Sequence, residues 1–223
     1  MPNQSLASQS SSDVLDTFRQ LSTLHCELVA KEGVHILPFH DESLVFFGKL
    51  SPEKQQRVIQ QLSETVSVYE AMRSDSVSLR DNPQLIWRSM SRSGLIPPGD
   101  IFDKITDEDI VVIFAPDQRQ LFRNLEFLRH SVLTLEELCA TEWYRYTRRD
   151  PRIVQKLRLL AEDISSGRRT GTFDPDIEEH EIEQLGSQGS SKLRIKINSV
   201  APITSDGKVV GIIVVERGWP VDE

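Results

Sequence analysis

The sequence has little that reacts and nothing that spans a membrane as a helix. Its 223 residues contain two cysteines, Cys26 and Cys139, far apart and in dissimilar settings, which argues against a disulfide framework. No apolar run approaches the roughly 20 residues a bilayer crossing needs. The opening "MPNQSLASQSSSD" lacks both the basic and the apolar segments of a secretory signal. A cytoplasmic protein is the expectation. Positive charge is also short: 26 Lys and Arg against 34 Asp and Glu give a net charge of -8. That balance argues against a general nucleic-acid or anionic-membrane partner. Glycine-rich phosphate loops, GxSxG elbows and HExxH words are missing, so no motif points to an enzyme. What is present is ordinary for a globular chain, with 38% hydrophobic and 27% charged residues.

Residues 1–12 are Ser- and Gln-rich and read as a disordered tail. From Asp13, apolar residues recur at helical spacing through Phe18, Leu21, Leu24 and Leu28, with Gly33 as a stop. Residues 34–50 are apolar but broken by Pro38 and Gly48, a short strand or irregular packing. Ser51-Pro52 opens a second helix, with Val58, Leu62, Val66, Tyr69 and Met72 as its apolar stripe. A third runs from Asn82-Pro83 to Gly94. Pro97 and Pro98 then forbid helix, and a boundary is placed there between a helical region, 13–98, and a second domain, 105–218.

Beyond that boundary the period changes from 3.6 to 2. Ile110–Phe114 and Arg119–Asn124 read as strands about a Pro116-Asp117 turn. Residues 133–167 read as helical, with one strong amphipathic helix after Asp150-Pro151. "RRTGTFDPD" (168–176) is a short strand candidate, and "DIEEHEIEQLGSQGSS" (176–191) reads as an exposed acidic insertion. "KLRIKINSVAPI" alternates Leu193, Ile195 and Ile197 with Lys192, Arg194 and Lys196, a half-buried antiparallel strand. Asp206-Gly207 is a hairpin turn, and Val209–Val215, almost all Val and Ile, reads as a central strand.

This order, β-β-α-α-β-β-β, resembles a PAS domain over residues 105–218, about half of the chain. "LTLEELCATEWYRYTRRDPRIVQKLRLLAEDISSG" is similar to the PAS stretch in which "EEL" precedes an aromatic residue and a long helix. "APITSDGKVVGIIVVER" is similar to the PAS closing hairpin. Glu136, Glu137, Leu138, Trp143, Asp150, Arg152 and Gly207 stand at matching positions. Arg148-Arg149 replaces the usual His-Pro pair, and the chain stops soon after Val215, where most PAS domains feed a helical linker. The resemblance implies an α+β fold: a five-stranded antiparallel sheet with helices on one face, after a helical N-terminal region. It implies sensing or association rather than chemistry.

A PAS-like pocket would be lined by Phe122, Phe127, Leu128, Trp143, Tyr144, Leu157, Ile195 and Val214; a plain packed core is the competing reading. Haem is disfavoured, because the long helix has no histidine, although His130 could face the pocket. Flavin is disfavoured too, because Cys139 in "LCATEW" lacks the photosensor word and reads as a small buried hydrophobe. His25, Cys26, His35 and His40 match no zinc spacing, and His25 and Cys26 point about 100° apart on a helix. Glu136-Glu137 and Glu178-Glu179 read as solvated charge.

The reading this supports is a non-catalytic, stand-alone PAS-like signalling protein. It would act by protein–protein association, as a homodimer through its N-terminal helices or with a signalling partner. A sensor of a small molecule or cofactor of unknown identity is one alternative. A transcriptional regulator using Arg88 and Arg92 is another, on a thin basic footprint.

Overall fold

The computed structural model describes residues 11–116 and 119–221. Residues 1–10 of the Ser-rich tail, and Asp117 of the expected turn, lie outside the described residues. Residues 11 and 12, expected in that tail, begin helix α1 (Ser11–Ala30) instead.

Helix α2 (Pro52–Ser74) starts where the sequence places it: Ser51 Oγ accepts from Lys54 N and Pro52 fills the first turn. Helix α3 (Asn82–Arg92) is capped by Asp81, whose carboxylate accepts from Gln84 N. Between α1 and α2 the chain is irregular apart from a 3-10 turn, Phe47–Lys49. The apolar stripe of α2 is spent inside the molecule: Val58, Leu62, Val66, Tyr69 and Met72 are all buried.

The second half holds β1 (Ile110–Phe114), β2 (Gln120–Arg123), α4 (Leu125–Arg129), α5 (Leu135–Ala140), α6 (Trp143–Tyr146), β3 (Thr147–Arg149), α7 (Pro151–Ser165), β4 (His180–Gly186), β5 (Gly189–Ser205) and β6 (Lys208–Pro220). The strands form one antiparallel sheet in the order β2-β1-β6-β5-β4-β3. Val209–Val215 therefore lies inside the sheet, flanked by β1 and β5. The hairpin turn that leads into it has positive φ at both Asp206 (49°) and Gly207 (73°), the pair a two-residue primed turn requires.

The structure corrects several expectations. The sheet has six strands, not five. The extra one, β3, arises because the 133–167 stretch is not continuous helix: Thr141 and Thr147 are extended, and Pro151 holds Asp150 out of the helical region. The 168–176 candidate is not a strand; its backbone pairs with β5 only at an isolated bridge between Phe173 and Val200. Left-handed Gly171 and Asp176 and the missing N–H of Pro175 break any ladder there. The strand that takes this place, β4, lies within the supposed insertion. His180, Ile182 and Gln184 turn inward, while Glu181 and Glu183 stand opposite Arg194 and Lys192 of β5.

Helices also cover both faces of the sheet, not one. Val111, Ile113, Ile213 and Val215 point toward α2 and α3, joining Val66, Tyr69, Ile86 and Met90 in one hydrophobic cluster. On the opposite face Ile182, Leu193, Ile195, Ile197 and Val200 pack with Ile153 and Leu157 of α7. The helical region and the sheet thus share a core across Pro97-Pro98, and Ile96 pairs with Thr204 of β5 through bonds of 2.7 and 2.9 Å. The free edge of β2 is covered as well: Gln61 Nε2 donates to the carbonyls of Gln120 (2.8 Å) and Leu121 (2.6 Å). No helix among the described residues is long and apolar enough to cross a membrane.

Candidate functional site

Alternation along β1 turns Ile110, Val112 and Phe114 away from α2 and α3 and toward α4 and α6. Together with inward residues of β4, β5 and β6 they enclose a cavity of about 30 Å³, room for about one or two waters. Of the eight residues expected to line a pocket, Phe127, Trp143 and Ile195 do so. Phe122 turns to the opposite face, toward α2 and α3. Leu128 is buried in the core without reaching the cavity, Tyr144 is 53% exposed, and Leu157 and Val214 belong to the α7 layer.

The sequence reading missed the polar half of the wall. Gln120, Tyr146, Arg149, Gln184 and Glu216 all face the cavity. Arg149 sits over the Trp143 ring, 5.6 Å from its centroid. Its Nη1 donates to His180 Nε2 at 3.3 Å, while His180 Nδ1 donates to the Glu178 carbonyl at 2.9 Å. Those bonds set the tautomer, and burial lowers the His180 pKa, so the ring stays neutral. Glu216 is 8% exposed. Burial raises its pKa and the Arg149 charge opposes that rise. Glu216 had a legible signal: it continues the register of Ile212 and Val214, a charge pointing inward from a central strand. The arrangement can hold a water or a small polar group. It has no nucleophile paired with a base, and among the described residues no group of three or more His, Cys, Asp or Glu converges on a metal position.

Trp143 joins the short helices to the sheet, edge-on to Phe114 of β1 with centroids 6.1 Å apart. It is only partly buried. Trp143→Ala is therefore expected to lower stability by about 3 kcal/mol, the lower end for a large aromatic truncation. An unchanged urea midpoint would show that Trp143 does not brace the sheet.

The other candidates separate cleanly. Glu136 and Glu137 are not solvated: they are 1% and 6% exposed. Glu136 Oε1 accepts from Phe46 N (2.8 Å) and Phe47 N (2.9 Å), and so holds the loop before α2. Glu137 closes a capping box with Thr134 and accepts from Ser187 N at 2.7 Å, anchoring the β4–β5 hairpin. Both carboxylates are spent on backbone amides. Glu178 and Glu179 are exposed and lie near Lys156 and Arg194. His130 ends α4, lines the cavity and bonds Glu126 at 3.0 Å. Of the two arginines considered for DNA, Arg88 is held by Asp75 at 2.6 Å and Arg92 is exposed. A wide groove of about 930 Å³ crosses the outer face near Lys196, Arg217 and Trp219, but Asp103, Asp109 and Glu179 line it too, so it presents no single sign of charge.

No family model matches the chain, and no curated protein is similar to it at a significant level.

Proposed function

We propose that this chain is a PAS-like regulatory module that acts by protein–protein association and not by catalysis. The observation that carries the reading is the filled interior. Between the inner face of the sheet and α4–α7 the side chains leave about 30 Å³, far below the roughly 300 Å³ at which ligand pockets begin. Haem, flavin or a comparable organic group has no room without repacking the core. Support for the family resemblance comes from the antiparallel sheet, the closing Asp-Gly hairpin and the position of Trp143 against β1.

The association is proposed as a homodimer through the helical region. The stripes of α1 and α2 face inward, so the contact is assigned to the outer side of α3. Trp87 is 57% exposed there, and Ile96, in the segment that follows, is 60% exposed. Sedimentation of the full chain at tens of micromolar is expected to give a dimer, and Trp87→Asp a folded monomer. A wild-type monomer, or a dimer indifferent to the substitution, would remove the α3 contact.

A further inference from the structure

Tyr146 borders two spaces: the closed polar cavity and an open cleft of about 460 Å³. Three segments wall the cleft, namely the turn before α2, the α5–α6 junction and the β4–β5 hairpin. Each is held in place by contacts already described or close to them. Glu136 fixes the turn through the Phe46 and Phe47 amides. Glu137 fixes the hairpin through Ser187 N. Gly186 lies so close to the Val132 carbonyl that a Cβ would come within 2.6 Å of it. The walls are therefore preformed, as small-molecule sites usually are.

Phe46, Leu50, Ala140 and Leu185 form the apolar part of the wall. Phe46 is 36% exposed, a large side chain left open to solvent. Four charged side chains border the same space: Lys49, Glu137, Glu142 and Arg145. Glu137 is buried, and both its oxygens are occupied by Thr134 N, Thr134 Oγ1 and Ser187 N. Glu142 and Arg145 pair with each other at 2.9 Å. The Lys49 ammonium is exposed and has no partner among the described residues. It is the one charge free to meet a ligand. The volume lies within the roughly 300–1,000 Å³ of small-molecule sites, whereas a stable protein partner needs roughly 800 Å² of surface.

We propose that this cleft binds a small amphipathic monocarboxylate. Its chain lies against Phe46, Leu50, Ala140 and Leu185, where burial of carbon supplies the affinity. Its carboxylate meets Lys49, which supplies the preference for a negative charge. A ligand of about ten heavy atoms binds such an open cleft at about 0.1–1 mM, weakly enough for purification to remove it. The site leaves the interior of the sheet filled, and it is independent of whether the chain dimerises.

The test is a titration of the full chain with octanoate, followed by proton–nitrogen correlation NMR, with octylamine as the probe of opposite charge. Saturable shifts are expected at the amides of residues 46–50, 140–142 and 185–187. Lys49→Gln weakens octanoate about three- to fivefold, the worth of a solvent-screened ion pair. Ser187→Trp fills the cleft and abolishes binding. Both side chains are exposed, so the variants keep the fold. The absence of saturable shifts, shifts confined to other residues, equal affinity for octylamine, or an octanoate affinity unchanged in either variant would overturn the site.

Discussion

Asn124→Ala is expected to lower the stability of the fold by about 4 kcal/mol. Asn124 is fully buried and uses both ends of its amide. Oδ1 accepts from Val111 N (3.0 Å) and Phe127 N (3.1 Å), and Nδ2 donates to the Asp109 carbonyl (2.7 Å) and Asn82 Oδ1 (2.9 Å). Asn82, at the start of α3, passes the network on to the carbonyls of Thr106 (2.8 Å) and Asp109 (3.0 Å). A truncation here removes an N-cap and leaves buried amides without acceptors, each costing about 1–3 kcal/mol. Because Asn82 belongs to the helical region and Asn124 to the sheet half, the pair also measures how firmly the two are joined. A double-mutant cycle by urea denaturation should give a coupling of about 1–2 kcal/mol between them. A loss below about 1 kcal/mol for Asn124→Ala would mean that the network is open to water.

Acid should weaken the fold through His25 in a defined window. In the folded chain desolvation by burial, and after it the Arg123 charge, holds its pKa down to about 3, against an ordinary value of 6.5. Between those two values the unfolded chain binds a proton that the folded chain refuses, so stability falls as pH falls. The slope is about 1.4 kcal/mol per pH unit for this one group, about 2 kcal/mol between pH 7 and pH 5 and about 4–5 kcal/mol over the whole interval. His25→Phe is expected to flatten the dependence between pH 7 and pH 5 whatever it does to stability at pH 7. Parallel pH profiles for wild type and variant would place His25 in contact with solvent. Glu216 works in the opposite direction: with its pKa raised by burial, it favours folding at pH below its ordinary value and withdraws that contribution as pH rises through the folded pKa.

The sheet and helices were legible where one pattern acted alone. Ser51-Pro52, Asp150-Pro151 and Asp206-Gly207 each fix backbone geometry through local chemistry, and each stands where it was read. The β4 strand was hidden because glutamates at alternate positions look like a solvated loop until their partners, Lys192 and Arg194, are placed across the ladder. Glu136 and Glu137 were misread for a related reason. Their acceptors' donors, the amides of Phe46, Phe47 and Ser187, come from segments distant in sequence. The cavity wall shows the same division. Apolar Phe127, Trp143 and Ile195 follow from period and position, whereas Gln120, Arg149 and Glu216 become neighbours only when β2, β3 and β6 assemble into one sheet. A hydrophobic pattern reports which face is buried; it does not report which polar groups are buried with it.

The proposed function depends on a filled interior and on association. Native mass spectrometry of the full chain, purified without added ligand, tests both together. The expected result is a species of twice the chain mass carrying no organic adduct. A monomer that retains a small organic molecule of a few hundred daltons would contradict it, and would make the space between β6 and α4–α7 a ligand pocket that the protein opens.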